Sequence, residues 1–282
     1  MTELYVGLAG LPLDQDEFDL GERIVIRKTY AHLMMPIVMA FKPALAGQPH
    51  PAPWRAVQGG GGHDIIAELR VKDAQMGDLE RCHVYASVLR LWSNPATTMI
   101  VTSTRSLADF VESYDETFQL IPMQVQERLH PYGVEGGSLN EIGAAYVKSY
   151  APVAYKLWKE SAEFKLALDA LNSSQYQQNT ALILVSLWAA FEALFLGDRS
   201  ELRFRVSSYM ASYLEKYGPE RAKRQKRIAE LYDKRSAAVH GLPTHNSDDV
   251  VATLNLMRDV LMMILTGGAI PTREELQKEL LG

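Results

Sequence analysis

The 282-residue chain is 47% hydrophobic and carries a formal charge of −5. That length and apolar content support one large or two ordinary packed domains and exclude a wholly disordered chain. The mild acidity excludes a surface that is basic throughout, so any polyanion-binding surface has to be local.

A lone cysteine, Cys82, excludes an intramolecular disulfide, and no Cys/His spacing suits a zinc site. Neither a metal nor a cofactor is expected. The opening segment "MTELYVGLAGLPLDQDEFDL" lacks a basic n-region, which argues against a secretory signal. The longest apolar run, "ALILVSLWAAFEALFLG" from Ala181, is interrupted by Glu192 and falls short of the roughly 20 residues a bilayer requires. It reads as a buried core helix, and the chain as a cytoplasmic protein without a membrane partner.

In chain order, "RIVIRK" (23–28), "DIIAELRVK" (64–72) and "TMIVTST" (98–104) are β-prone runs separated by Pro/Gly-rich connectors. A helix is expected over 78–91. The "GGGG" at 59–62 lacks the Lys-Ser/Thr of a phosphate-binding loop, and His63–Asp64 beside it reads as surface loop. "HPYGVEGGS" (130–138) reads as a boundary. Beyond it the period becomes helical: Ser138 and Glu141 form an S-x-x-E cap before a run to about 171, with a break expected near Pro152. Helices are expected over 177–196, 200–217, 219–240 and 247–266, then a short tail helix opened by Pro271 with Thr272 and Glu275. The fold class expected is α+β and mostly helical. Residues 1–130 form a mixed α/β region of open role, and 138–282 a helical domain with its core at 175–266.

On a helical wheel over 221–240, Ile228, Leu231, Tyr232, Ala238 and Val239 form one apolar stripe with Arg235 at its centre. Burying a guanidinium without partners costs several kcal/mol, so Arg235 belongs either to a buried ion pair or to an anion site. The isolated carboxylate Glu192 is its obvious partner. His240 precedes Gly241 and Pro243, a helix-ending pattern, and an imidazole in the last turn is favoured in its protonated form by about 0.3–1 kcal/mol. Lys223, Arg227 and Lys234 form a basic stripe. Seven basic residues against two acidic ones lie between Arg221 and Arg235. Such a run is either a solvated face or, beside Arg235 and His240, a phosphate-binding surface that includes Arg224.

The segment "LWAAFEALF…ELRFRVSSYM…IAELYDKRSAAVHG" resembles the Apea-like branch of the HEPN superfamily, whose members carry an R-x4–6-H motif at a helix end in a small bundle. Arg235 and His240 match the motif, and Trp188, Glu192, Tyr232, Ser236 and Gly241 match its frame. The resemblance covers roughly 175–265. It implies a metal-independent endoribonuclease, in the setting of prokaryotic defence or a toxin. The RNA 2′-hydroxyl attacks phosphorus to leave a 2′,3′-cyclic phosphate and a 5′-hydroxyl. Arg235, His240, Ser236 and Glu192 would form the catalytic set, and Lys223, Arg224, Arg227 and Lys234 the RNA-binding set. Two copies would complete one site across a homodimer, with room for an antitoxin or regulatory partner. The alternatives are a non-catalytic RNA- or nucleotide-binding dimer of the same family, and a scaffold dimer.

Overall fold

The computed structural model describes residues 3–34, 37–40, 42–51, 55–59, 61–112, 119–126, 128, 129, 136–195, 202–239, 241 and 245–281. It is α+β and mostly helical, as expected. Two compact units divide the chain. One comprises 1–86, 96–126 and 136–145; the other comprises 87–95, 127–135 and 146–282.

The first unit is built on an antiparallel sheet of six strands in the order β2-β3-β6-β1-β7-β8. These are β1 (Leu4–Ala9), β2 (Glu17–Asp19), β3 (Ile24–Met34), β6 (Gly62–Val71), β7 (Thr98–Ser103) and β8 (Leu120–Pro122). β4 (Ile37–Ala40) and β5 (Arg55–Gly59) pair as a separate two-stranded ladder. All three expected runs are strands. His63 and Asp64 lie on β6, not in a loop, because β3 pairs with β6 as far as Met34↔Gly62 and continues the strand through them.

A short helix, α2 (Leu107–Glu112), packs on this sheet through Leu107 and Phe110, against Ala31, Leu33, Ile65 and Val101. Gly7 makes the approach possible: a Cβ there would sit 2.4 Å from Leu107 Cδ1 and 2.9 Å from Val101 Cγ1. Below α2 lies Glu68, whose side chain is wholly buried. It accepts hydrogen bonds from Arg27 Nε (2.7 Å), Ser106 Oγ (2.9 Å) and the Leu107 backbone N–H (2.9 Å). Three donors on one carboxylate are what a buried charge requires.

α1 (Asp78–Trp92) and α3 (Glu141–Glu160) each divide between the two units. The second unit continues with α4 (Ala162–Ser174), α5 (Thr180–Phe195), α6 (Leu202–Leu214), α7 (Pro219–Val239), α8 (Ser247–Gly267) and α9 (Arg273–Leu281). α5 is apolar nearly all round and packs on α4, α6, α7 and α8, which explains its lack of a polar face. α8 is long and apolar enough to cross a bilayer, yet half of it is buried, and it packs on α4 to α7.

Two local expectations are corrected. Asn140, not Ser138, caps α3, accepting from Gly143 N at 2.9 Å. The helix also runs through Pro152, since Val147, Ala151 and Ala154 fall at helical spacing on one fully buried face spanning the proline. The break comes at Ser161, whose Oγ caps α4 by accepting from Phe164 N at 3.1 Å. The tail-helix box forms as expected, with Thr272 N donating to Glu275 at 2.7 Å and Glu275 N to Thr272 Oγ1 at 3.3 Å.

Burial above all pushes Tyr5, Tyr146 and Tyr213 up to about 12 from an ordinary 10, with Tyr5 further raised by donating to Glu3. A folded-state pKa above the unfolded one gives stability that is complete below pH 10 and lost as pH rises through 12. The phenolate absorbance of these buried tyrosines should therefore appear together with loss of helical circular dichroism in that window. Ionisation of all thirteen tyrosines near pH 10 with the fold intact would contradict the burial.

Candidate functional site

α7 opens with Pro219, whose fixed φ suits a first helical position, and Glu220 in its first turn. It ends at Val239, and Gly241, with a φ of +70° and an N–H bond to Ala238 O (3.1 Å), takes the left-handed conformation of the stop read from the sequence. Of the apolar stripe, Ile228, Leu231, Tyr232 and Ala238 are buried. Val239 is instead 51% exposed, because it lies in the last turn, beyond the packed part of the stripe.

Arg235 and Glu192 meet. Arg235 Nη2 lies 3.2 Å from Glu192 Oε1, with the two side chains 21% and 23% exposed. The guanidinium lies 5.5 Å from the Tyr232 ring centroid, and Tyr232 Oη donates to Glu192 Oε1 at 3.4 Å. Behind them the Trp188 ring stands edge-on to Tyr232 at 5.2 Å. Burial, followed by the Glu192 charge, raises the Tyr232 hydroxyl above its usual range, so it stays a donor at neutral pH. Arg235 Nε and Trp188 Nε1 are buried without an acceptor among the described residues. A buried donor left unpaired costs about 1–3 kcal/mol, and at Arg235 the part of the guanidinium open to solvent lies beyond that buried Nε, since the side chain is 21% exposed. Ser236 is half-buried next to it. His240 and Pro243 lie outside the described residues.

The RNA-binding candidates are distributed differently. Lys223 pairs with Glu220 (2.7 Å) and Arg227 with Glu230 (3.4 Å), both one turn away on α7. Arg224 reaches Glu215 and Asp259, both at 3.3 Å, and Lys234 lies 3.9 Å from Asp249 at the start of α8. Burial raises the Asp259 carboxyl, with Arg224 and Arg258 opposing the rise. Lys223 and Arg227 precede Arg235 by twelve and eight residues, about 18 and 12 Å along the axis, so they do not share its immediate surroundings.

Sequence reasoning assigned no role to His245, whose Nε2 lies 3.1 Å from Thr180 Oγ1 while Nδ1 is buried without a partner among the described residues. Nothing in the local pattern signals that contact between the start of α5 and the residue before the α8 cap. His32 and Asp64, 2.8 Å apart across β3 and β6, were likewise not paired in advance. Cys82 is buried and its thiol is pushed up to about 12, chiefly by burial, which leaves it protonated and unreactive. Among the described residues no three His, Cys, Asp or Glu side chains form a metal-binding group. Comparisons with models of known families, with curated proteins and with solved structures gave no match.

Proposed function

We propose that the helical unit is a HEPN-type, metal-independent endoribonuclease that acts as a homodimer in the cytoplasm. The observation that carries this reading is the Arg235–Glu192 pair: a guanidinium anchored by a carboxylate, a fifth exposed, and five residues ahead of His240. Such a group can accept charge building on phosphoryl oxygens. Attack by the 2′-oxygen forms its bond to phosphorus and breaks the P–O5′ bond. One imidazole takes the 2′-hydroxyl proton and another returns a proton to the leaving 5′-oxygen. Two copies supply both, one His240 each. Support for a second copy comes from Val239, exposed one turn beyond Arg235, and Phe204 of α6, 59% exposed. A role in defence or as a toxin, with an antitoxin or regulatory partner, belongs to the same proposal.

Ser236 favours a second reading, a dimer that binds RNA or a nucleotide without cutting it. HEPN nucleases often place Asn, Asp or His after the arginine, and a serine hydroxyl is a weaker partner. The test is incubation of purified protein with 5′-labelled RNA in excess EDTA beside His240→Ala. Cleavage that resists the chelator, leaves cyclic-phosphate ends and disappears in the variant is the expected outcome. Cleavage that survives the substitution removes His240 from the site, and binding without cleavage by wild-type protein selects the second reading.

A further inference from the structure

We propose, resting on the reading of Arg235 as a phosphate ligand, that the site grips about one phosphodiester of single-stranded RNA per protomer and does not track the backbone on either side. The sequence around α7 looks strongly basic, but the fold neutralises it from neighbouring turns and helices. Lys223, Arg224, Arg227 and Lys234 each face a carboxylate, and Arg203 of α6 makes a two-pronged bond to Asp233 at 2.6 and 2.7 Å. Arg221 is spent otherwise: its Nε donates to Glu215 O at 2.9 Å and its Nη1 to Glu279 O at 2.8 Å, tying down the ends of α6 and α9.

The remaining α7 cation, Lys226, has no carboxylate or carbonyl partner among the described residues. Arg235 differs from the paired ones in kind. Among the described residues its one ion pair is the Nη2 contact to Glu192, and the 21%-exposed side chain keeps the end of a planar fork open to a second acceptor, whereas the paired lysines offer only a point charge already screened by a neighbour. A phosphate oxygen completes Arg235. It gains little from Lys223 or Arg227 unless their carboxylates are displaced.

Counterion release makes this measurable, since the affinity for single strands falls with salt as about 0.7 per phosphate neutralised, on logarithmic axes. The experiment is fluorescence anisotropy of full-length His240→Ala protein with labelled RNAs of about 6 and 20 nucleotides, in about 50 to 200 mM KCl. With one or two phosphates engaged, affinity falls about threefold to sevenfold for both lengths. Adding Glu220→Gln and Glu230→Gln, two exposed changes, frees Lys223 and Arg227 and steepens the loss on the longer RNA to about 20- to 50-fold.

A loss of several hundred-fold in the parent protein, as for about six phosphates, overturns the single-phosphodiester inference and leaves Arg235 as a ligand. An unchanged slope in the Glu220→Gln/Glu230→Gln protein overturns the claim that those carboxylates silence the stripe. If folded parent protein binds neither RNA at low salt, both this inference and the reading of Arg235 beneath it are overturned.

Discussion

On the proposed ribonuclease reading, replacing Arg235 by alanine is expected to lower chelator-resistant RNA cleavage by about 10²–10³-fold, the usual cost of removing one charge-stabilising donor from a phosphoryl or oxyanion site. The chain stays folded. The pair it breaks is mostly buried, with side chains 21% and 23% exposed, but Glu192 keeps the Tyr232 hydroxyl as donor, so the loss falls below the ~3–5 kcal/mol of a fully buried pair. The same reading expects KM to rise together with the fall in kcat, because a guanidinium that binds the phosphate would hold it before as well as during reaction. Glu192→Gln is the informative companion. The amide keeps the shape and an acceptor but releases the electrostatic hold on the guanidinium, so kcat falls by about 10-fold while KM stays near its value. That split marks a positioning residue. Unaltered cleavage in Arg235→Ala would remove the arginine from the chemistry, and collapse of its circular dichroism would assign the pair to holding the bundle together.

The helices were legible where burial is periodic and the ends are chemically marked. α8 was expected over 247–266 and spans Ser247–Gly267, because Asn246 caps one end and Gly268, at φ +75°, the other. α7 follows the same logic from Pro219 to Gly241. The central strand β1 gave no such signal: "LYVGLA" is a short apolar run interrupted by Gly7, without alternation, since Tyr5 and Val6, on opposite faces of the sheet, are both buried. β2 and β8 are three residues each, too short for any period.

At the site, Glu192 and Arg235 could be matched in advance because each is a lone charge in an apolar stripe and has few other ways to be compensated. The carboxylates that quiet the basic run could not all be seen. Glu220 and Glu230 lie within one turn of their partners, but Asp249 and Asp259 come from α8, and which faces of α7 and α8 meet is a tertiary fact. A local count of charge along one helix therefore overstated the positive field.

The largest loss of stability falls in the other unit, at Glu68. Glu68→Ala removes the acceptor that three donors share and costs about 3–5 kcal/mol, the range found when one partner of a buried charged network is deleted. The contributions differ in kind. Arg27, 28% exposed at its side chain, rotates toward water and recovers part of its hydration. The Leu107 N–H and the Ser106 hydroxyl cannot do so: Leu107 is wholly buried and Ser106 only 4% exposed, and each unpaired donor costs about 1–3 kcal/mol. Glu68→Gln separates shape from charge. It fills the same space but presents an N–H₂ toward one of the three donors, so its loss is intermediate, about 1–3 kcal/mol. Urea unfolding followed by circular dichroism gives both values as shifts of midpoint at constant slope. Equal stability of Glu68→Ala and wild type would mean that water fills the vacated space and pairs the donors in place of the carboxylate.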